Sequence, residues 1–211
     1  MKTSFIIGAV TAAFAALADA KIVSDPATKT FRDEFGRARI FHGQNVVVKL
    51  PNYLPTQDAF DPVMSVAEED LVMMKEWGTK IIRLGVMWES VERAPGVYDY
   101  EYMDKVDALI NKFAEYDMVT MVDNHQDLFS RKTCGEGVPV FYVPEDLETR
   151  CPLTPLARAM HAAGECIPIK SYNIPLDEDG LPDVIECGKH PFTTMYTAPE
   201  VASSFAALYD N

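Results

Sequence analysis

Asp123, His125 and Asp127 follow an apolar run, Met118-Val-Thr-Met-Val122, at two-residue spacing. In an extended segment alternate side chains share a face, so these three point one way and Asn124 and Gln126 the other. An imidazole flanked by two carboxylates can move protons, hold hydroxyl groups or contribute metal ligands. A metal set of Asp123, His125 and Asp127 needs further ligands, and His42, His161 and His190 offer no paired spacing. Arg83 lies inside a second apolar run, Lys80-Ile-Ile-Arg-Leu-Gly-Val-Met-Trp88. An unpaired guanidinium is costly there, so a carboxylate must face it. That pair is either a structural ion pair or the support of a catalytic carboxylate. Trp88 can stack on a sugar ring or cap the strand as core. Glu89 can act as an acid, but a place at a helix start or on the surface accounts for it better. Lys49, just before a loop carrying Pro51 and Pro55, is either a site cation or a solvated lysine.

The elements that must position these residues follow a simple order. Gly43 to Lys49 reads as a short strand. A helix follows, with Ser65-x-x-Glu68 as its capping box, Ala67, Leu71 and Met74 at helical spacing, and Gly78 to end it. Lys80 to Trp88 is a buried strand. Met103, Val106, Ile110 and Phe113 mark one helix face, and Met118 to Val122 a third strand. Strand–helix alternation of this kind predicts an α/β fold with a parallel sheet. In such folds functional side chains gather at the carboxyl ends of strands, where Lys49, Trp88, Asp123, His125 and Asp127 fall. Strand centres recur about every 37 residues, the stride of a (β/α)8 TIM barrel of ~250 residues. The chain accommodates the first three or so β/α units, an incomplete barrel. Ahead of them, Phe31 to Phe41 reads as a hairpin turning at Gly36. Residues 128–195 read as a long loop, and Pro199 opens a last helix with Val201, Phe205 and Leu208 on one face.

Composition sets the outer bounds. The 211 residues carry 19 Lys and Arg against 32 Asp and Glu, a net charge of −13. An acidic chain is a poor match for nucleic acid or for an anionic membrane surface. Residues 1–20 read as a secretory signal peptide: Lys2, an apolar run from Phe5 to Leu17, then Ala18-Asp19-Ala20. Residues 21–211 would be the mature, extracellular chain, with no later apolar segment long enough to span a bilayer. In an oxidising compartment Cys134, Cys151, Cys166 and Cys187 become disulfide candidates, with three possible pairings. Neighbour pairing, Cys134 with Cys151 and Cys166 with Cys187, is the favoured expectation. Their spacing does not suit zinc.

Several segments resemble the endoglycoceramidases of glycoside hydrolase family 5. They are Phe41-His-Gly-Gln-Asn-Val-Val-Val-Lys-Leu-Pro, Ile82-Arg-Leu-Gly-Val-Met-Trp-Glu, Pro95-Gly-Val-Tyr98 and Val122-Asp-Asn-His-Gln-Asp-Leu-Phe-Ser-Arg131, with Cys134-Gly-Glu-Gly after the last. The resemblance implies a TIM barrel, retaining hydrolysis of β-linked glycolipids or simpler β-glucosides, and no cofactor. It implies that Arg83 supports the nucleophile and that His125 lines the subsite of the cleaved sugar. It further implies that Lys49, Asp123 and Asp127 hold sugar hydroxyls. The family's acid/base glutamate follows an asparagine on the fourth strand, and its nucleophile ends the seventh. This sequence has no Asn-Glu dipeptide, so the chain is expected to be an amino-terminal half without its catalytic glutamates. The alternatives are a secreted remnant that binds a sugar or glycolipid without cleaving it and, third, a metal-dependent hydrolase.

Overall fold

The computed structural model describes residues 22–209, so the expected signal peptide lies outside the described residues. The chain divides into two units, one ending at Phe41 and one beginning at His42. The first holds an antiparallel sheet of β1 (Val23–Asp25), β2 (Thr30–Arg32) and β3 (Ala38–Arg39). The expected hairpin is its β2–β3 half, turning at Gly36, whose φ of +73° suits a residue without Cβ. The buried Asp33 carboxylate accepts from the Phe35 and Arg37 N–H groups and pairs with Arg37 and Arg39.

The second unit is built on a parallel sheet. Its elements run β4 (Gly43–Val46), α1 (Glu68–Glu76), β5 (Ile81–Met87), α2 (Trp88–Val91), the ribbon β6 (Glu92–Ala94) and β7 (Val97–Tyr98), α3 (Tyr100–Glu115) and β8 (Val119–His125). The sheet order is β4-β5-β8, with Asn45 beside Arg83, and Arg83 beside Met121. Ile82 and Leu84 turn their side chains to the helices, where Leu71, Leu109 and Phe113 bury them. Each such side chain contributes about 1.5–3 kcal/mol on burial. Gly85 leaves room for the neighbouring strand segment, since a Cβ there would lie 2.9 Å from Val47 Cγ1.

Four local expectations are corrected. The first strand stops at Val46, where its pairing with β5 ends, so Lys49 stands beyond the sheet. Helix α1 is capped by Asp70, which accepts from the Ala67 N–H at 2.8 Å and the Ser65 hydroxyl at 2.7 Å. Ser65 is thus drawn into the preceding turn, and the Ser65–Glu68 box does not form. The buried stripe of α3 is Tyr102, Val106, Leu109 and Phe113. Two adjacent stripes both satisfy helical spacing, and the packed one carries the large Tyr102 ring. Met103 remains 43% exposed and shares an open apolar depression with Val86, Ile110 and Val122. On the last helix, α7, Val201 is buried but Leu208 is exposed.

Residues 128–195 are more ordered than a loop. They contain α4 (Pro155–Ala162), α5 (Val184–Cys187) and α6 (Phe192–Met195), followed by α7 (Pro199–Tyr209). Thr154 caps α4 by accepting from the Ala157 N–H, and Pro155 takes the first helical position. The disulfides are Cys134–Cys187 and Cys151–Cys166, with Cα separations of 5.6 and 6.0 Å. The favoured neighbour pairing is therefore wrong. Cys134 packs on a core of Leu128, Ile169, Met195, Ala198 and Val201, which draws it to Cys187 near α6 rather than to Cys151. Closing loops of 53 and 15 residues restricts the unfolded chain by about 4 and about 3 kcal/mol. Peptide mapping without reduction is expected to recover linked peptides 134–187 and 151–166. A 134–151 link would overturn the arrangement.

Candidate functional site

Strand β8 ends at His125, and its alternation presents Asp123 and His125 on one side, as expected. His125 Nδ1 lies 2.9 Å from Asp123 Oδ2, and Nε2 lies 3.2 Å from Asp127 Oδ2. A neutral imidazole donates to one of these carboxylates and an imidazolium to both. Asp123 is the carboxylate that Arg83 required: Arg83 Nη2 is 2.7 Å from Asp123 Oδ2 and 3.4 Å from His125 Nδ1. Lys49, reaching in from beyond β4, pairs with Asp127 and lies 2.8 Å from Glu136 Oε1. The solvated-lysine reading of Lys49 is thereby replaced. Basic and acidic side chains thus alternate along one row: Arg83, Asp123, His125, Asp127, Lys49, Glu136.

Glu136 and Tyr196 belong to this row and were not singled out from the sequence. The Tyr196 hydroxyl donates to Asp127 Oδ1 at 2.6 Å. Glu136 arrives because its backbone exchanges two hydrogen bonds with Asp127, of 2.9 and 3.1 Å. The glycines on either side make that approach possible. A Cβ on Gly135 would lie 2.0 Å from the Asp127 carbonyl oxygen, and one on Gly137 would lie 2.5 Å from that of His125. The Gly-Glu-Gly tripeptide was the available signal. Nothing near Tyr196 in sequence marks it, because α6 and the Cys134–Cys187 bridge bring it in.

Two sequence candidates lie elsewhere. Trp88 donates from Nε1 to Glu92 at 2.6 Å, and its ring lies 4.7 Å from that of Tyr142. It borders a depression with Val122 and Asn124, the residues that alternate away from His125. Glu89 stands in the first turn of α2, the helix-start place expected of it, and is neither at the surface nor in the row. Its carboxylate accepts from the Gly137 N–H at 2.8 Å, and its own N–H donates to the Gly137 carbonyl at 2.8 Å. Burial pushes the Glu89 carboxyl above its ordinary range.

The two acids beside Lys49 are driven apart. Burial works to raise Asp127, but hydrogen bonds from Lys49 and Tyr196 outweigh it and hold the carboxyl at about 2. Burial pushes Glu136 upward against the pull of Lys49. Ligand atoms of His125, Asp127 and Glu136 lie within 4.8 Å of one another, a spacing that could suit a cation. The Lys49 ammonium already supplies the positive charge between these two acids. Asp123, expected among metal ligands, is turned to Arg83.

This arrangement predicts a pH-dependent defect. Lys49→Met leaves Asp127 and Glu136 facing each other without a cation. A raised carboxyl pKa means that lowering the pH protonates Glu136 first, which relieves the repulsion. Limited proteolysis within residues 128–195 is expected to accelerate about ten-fold at pH 7, for a loss of about 1.4 kcal/mol in local stability, and much less at pH 5. Equal acceleration at both pH values would show that the charge row is not what holds the segment.

Residues 45–149 match the family described as cellulase (glycosyl hydrolase family 5). An endoglycoceramidase of Cyanea nozakii is 31% identical over 195 residues, covering 89% of this chain and 34% of that protein. A glucosylceramidase of Rhizopus delemar is 33% identical over 52% of the chain and 19% of its own length. Among solved structures, endo-glycoceramidase II from Rhodococcus sp. superposes with a TM-score of 0.52 at 25% identity, covering 82% of this chain and 31% of that one. The chain thus spans about a third of the length of the endoglycoceramidases it matches.

Proposed function

The chain belongs to glycosyl hydrolase family 5, related to endoglycoceramidases and glucosylceramidases, and on that premise we propose that it is the sugar-holding, amino-terminal part of a secreted retaining hydrolase of β-linked glycolipids. It supplies the first β/α units of a TIM barrel, and no cofactor enters the reaction. The observation that carries this reading is the row that runs from Arg83, inside β5, through the carboxyl end of β8 to Glu136 beyond it. Its donors and acceptors alternate, which matches a sugar ring carrying a hydroxyl on successive carbons. Lys49, His125, Asp127 and Glu136 would share those hydroxyls, while Arg83 fixes Asp123 and through it the imidazole. Both disulfides suit an extracellular setting. Among the described residues no helix is long and apolar enough to cross a membrane.

The binding-without-cleavage alternative shares this row and differs only in whether catalytic carboxyls join it. Ligand-observed NMR of the chain with glucose and lactose is expected to show saturable binding. His125→Ala and Asp127→Ala should each weaken it ten-fold or more. Binding that ignores both substitutions would remove the row from the sugar site.

A further inference from the structure

The Cys151–Cys166 bridge closes a ring of sequence that contains helix α4. Ala157 is the one buried residue of that helix. Leu153, just before it, is 83% exposed, and Leu156, in its first turn, is 71% exposed. Beside them lies an open depression of about 400 Å³, with Arg150, Cys151, Arg158, His161 and Pro168 in its wall. The sequence has eight arginines. Arg32, Arg37, Arg39, Arg83, Arg93 and Arg131 each pair with a carboxylate. Among the described residues the two without such a pair are Arg150 and Arg158, both exposed and both on this depression. The neighbouring acids are engaged elsewhere: Glu148 accepts from the Arg150 N–H at 2.7 Å, and Glu165 from the Thr197 hydroxyl at 2.8 Å.

We propose that this ring is a docking surface for an anionic lipid bilayer, with Leu153 and Leu156 entering the headgroup region and Arg150 and Arg158 meeting lipid phosphates and carboxylates. Exposed leucines beside unpaired guanidiniums suit a membrane interface: the hydrocarbon leaves water while the cations meet fixed negative charge. The net charge of −13 opposes such a surface, but exposed charges are screened beyond a Debye length of about 8 Å. Within residues 149–164 there is no Asp or Glu. Lys170 adds a further cation at the edge of the ring, where its Nζ donates to Thr149 Oγ1 at 2.8 Å. The bridge and the Thr154 cap hold both leucines in place before contact, so docking has little chain to order. The ring is also fastened to the segment that completes the charge row. The Cys166 N–H donates to the Thr197 hydroxyl at 2.8 Å, and Thr197 follows Tyr196. The choice of a bilayer over an acidic protein rests on the glycolipid reading above, because substrates of that class stand in bilayers.

The test is co-sedimentation of the chain with vesicles that contain no glycolipid, which separates its outcome from that of the sugar-binding measurement. Partition onto phosphatidylcholine vesicles with about 30% phosphatidylserine is expected to exceed that onto phosphatidylcholine alone by ten-fold or more. Leu153→Glu with Leu156→Glu, at exposed positions where folding is not at risk, should lower it at least ten-fold. Arg150→Gln with Arg158→Gln should lower it roughly ten-fold. Lys29→Gln with Lys80→Gln, the same loss of charge outside the ring, should leave it unchanged. Absence of vesicle binding, or binding that both ring variants retain, overturns the docking surface and leaves the sugar row standing. Binding abolished by Val122→Glu and retained by the ring variants assigns the contact to the β8 edge and overturns it too. Binding of polyglutamate that the arginine variant abolishes, with no partition onto vesicles, assigns the ring to an acidic protein instead. Loss of sugar binding with vesicle partition intact would overturn the sugar row and leave the docking surface in place.

Discussion

Purified residues 21–211 are expected to release no sugar from a fluorescent β-glucoside or from glucosylceramide above the uncatalysed background. Retaining cleavage needs two carboxyls about 5–5.5 Å apart, one to protonate the leaving oxygen and one to attack. Asp127 and Glu136 come near that separation, with ligand atoms within 4.8 Å. Neither is free for the work. Asp127 is held at about 2, so it carries no proton to give, and its oxygens are taken by Lys49, His125 and Tyr196. Glu136 is pushed upward as an acid should be, but its carboxyl is engaged by Lys49. Contacts equally strong in ground and transition states give affinity without rate. Joining the chain to the remaining β/α units of a relative is expected to create turnover, an increase of roughly 10⁶-fold or more over background. Turnover by residues 21–211 that Glu136→Gln abolishes would show that Asp127 and Glu136 are themselves the catalytic pair.

The second large effect is self-association. Strand β8 pairs with β5 on one side, and the sheet order gives it no partner on the other among the described residues. Val119, Met121 and Val122 are 50%, 47% and 55% exposed, so apolar side chains stand on both faces of that edge. Exposed edges with apolar faces recruit further strands. Light scattering of the isolated chain at micromolar concentration is expected to report oligomers rather than a monomer. Val122→Glu with Met121→Lys should return most of the material to monomer, because charges at an edge oppose pairing. A monomer that melts cooperatively without these changes would count against it.

The alternation of strand and helix was legible because two short, nearly continuous apolar runs, residues 80–88 and 118–122, flank a segment of helical spacing. The polar side of β8 was legible from the two-residue spacing of Asp123, His125 and Asp127, and the need of Arg83 for a carboxylate from its apolar neighbours. What sequence periodicity could not reach was anything set by contacts across long separations. Tyr196 meets Asp127 across 69 positions, and Lys49 meets it across 78. On α3 the expectation had Val106 and Phe113 right but chose Met103 and Ile110 over their neighbours Tyr102 and Leu109, because steps of 3, 4, 3 and of 4, 3, 4 both describe one helix face. Helix α4 did carry local signals, Thr154 and Pro155, but they lay in a segment read as loop throughout. Whether Trp88 stacks on a ligand or packs internally depends on which way the chain turns after β5, and no spacing encodes that turn.

The two disulfides are nested, Cys151–Cys166 lying inside the ring closed by Cys134–Cys187. A chain threaded into an oxidising compartment amino terminus first presents Cys151 to Cys134 before either Cys166 or Cys187 has emerged. The earliest available bond is therefore a wrong one, and where it forms it must be exchanged before the Cys134–Cys187 bridge can help bring Tyr196 to Asp127. Assembly of the charge row is in this sense tied to thiol–disulfide exchange. Yield of correctly paired chain should depend on a shuffling catalyst more than on the supply of oxidant.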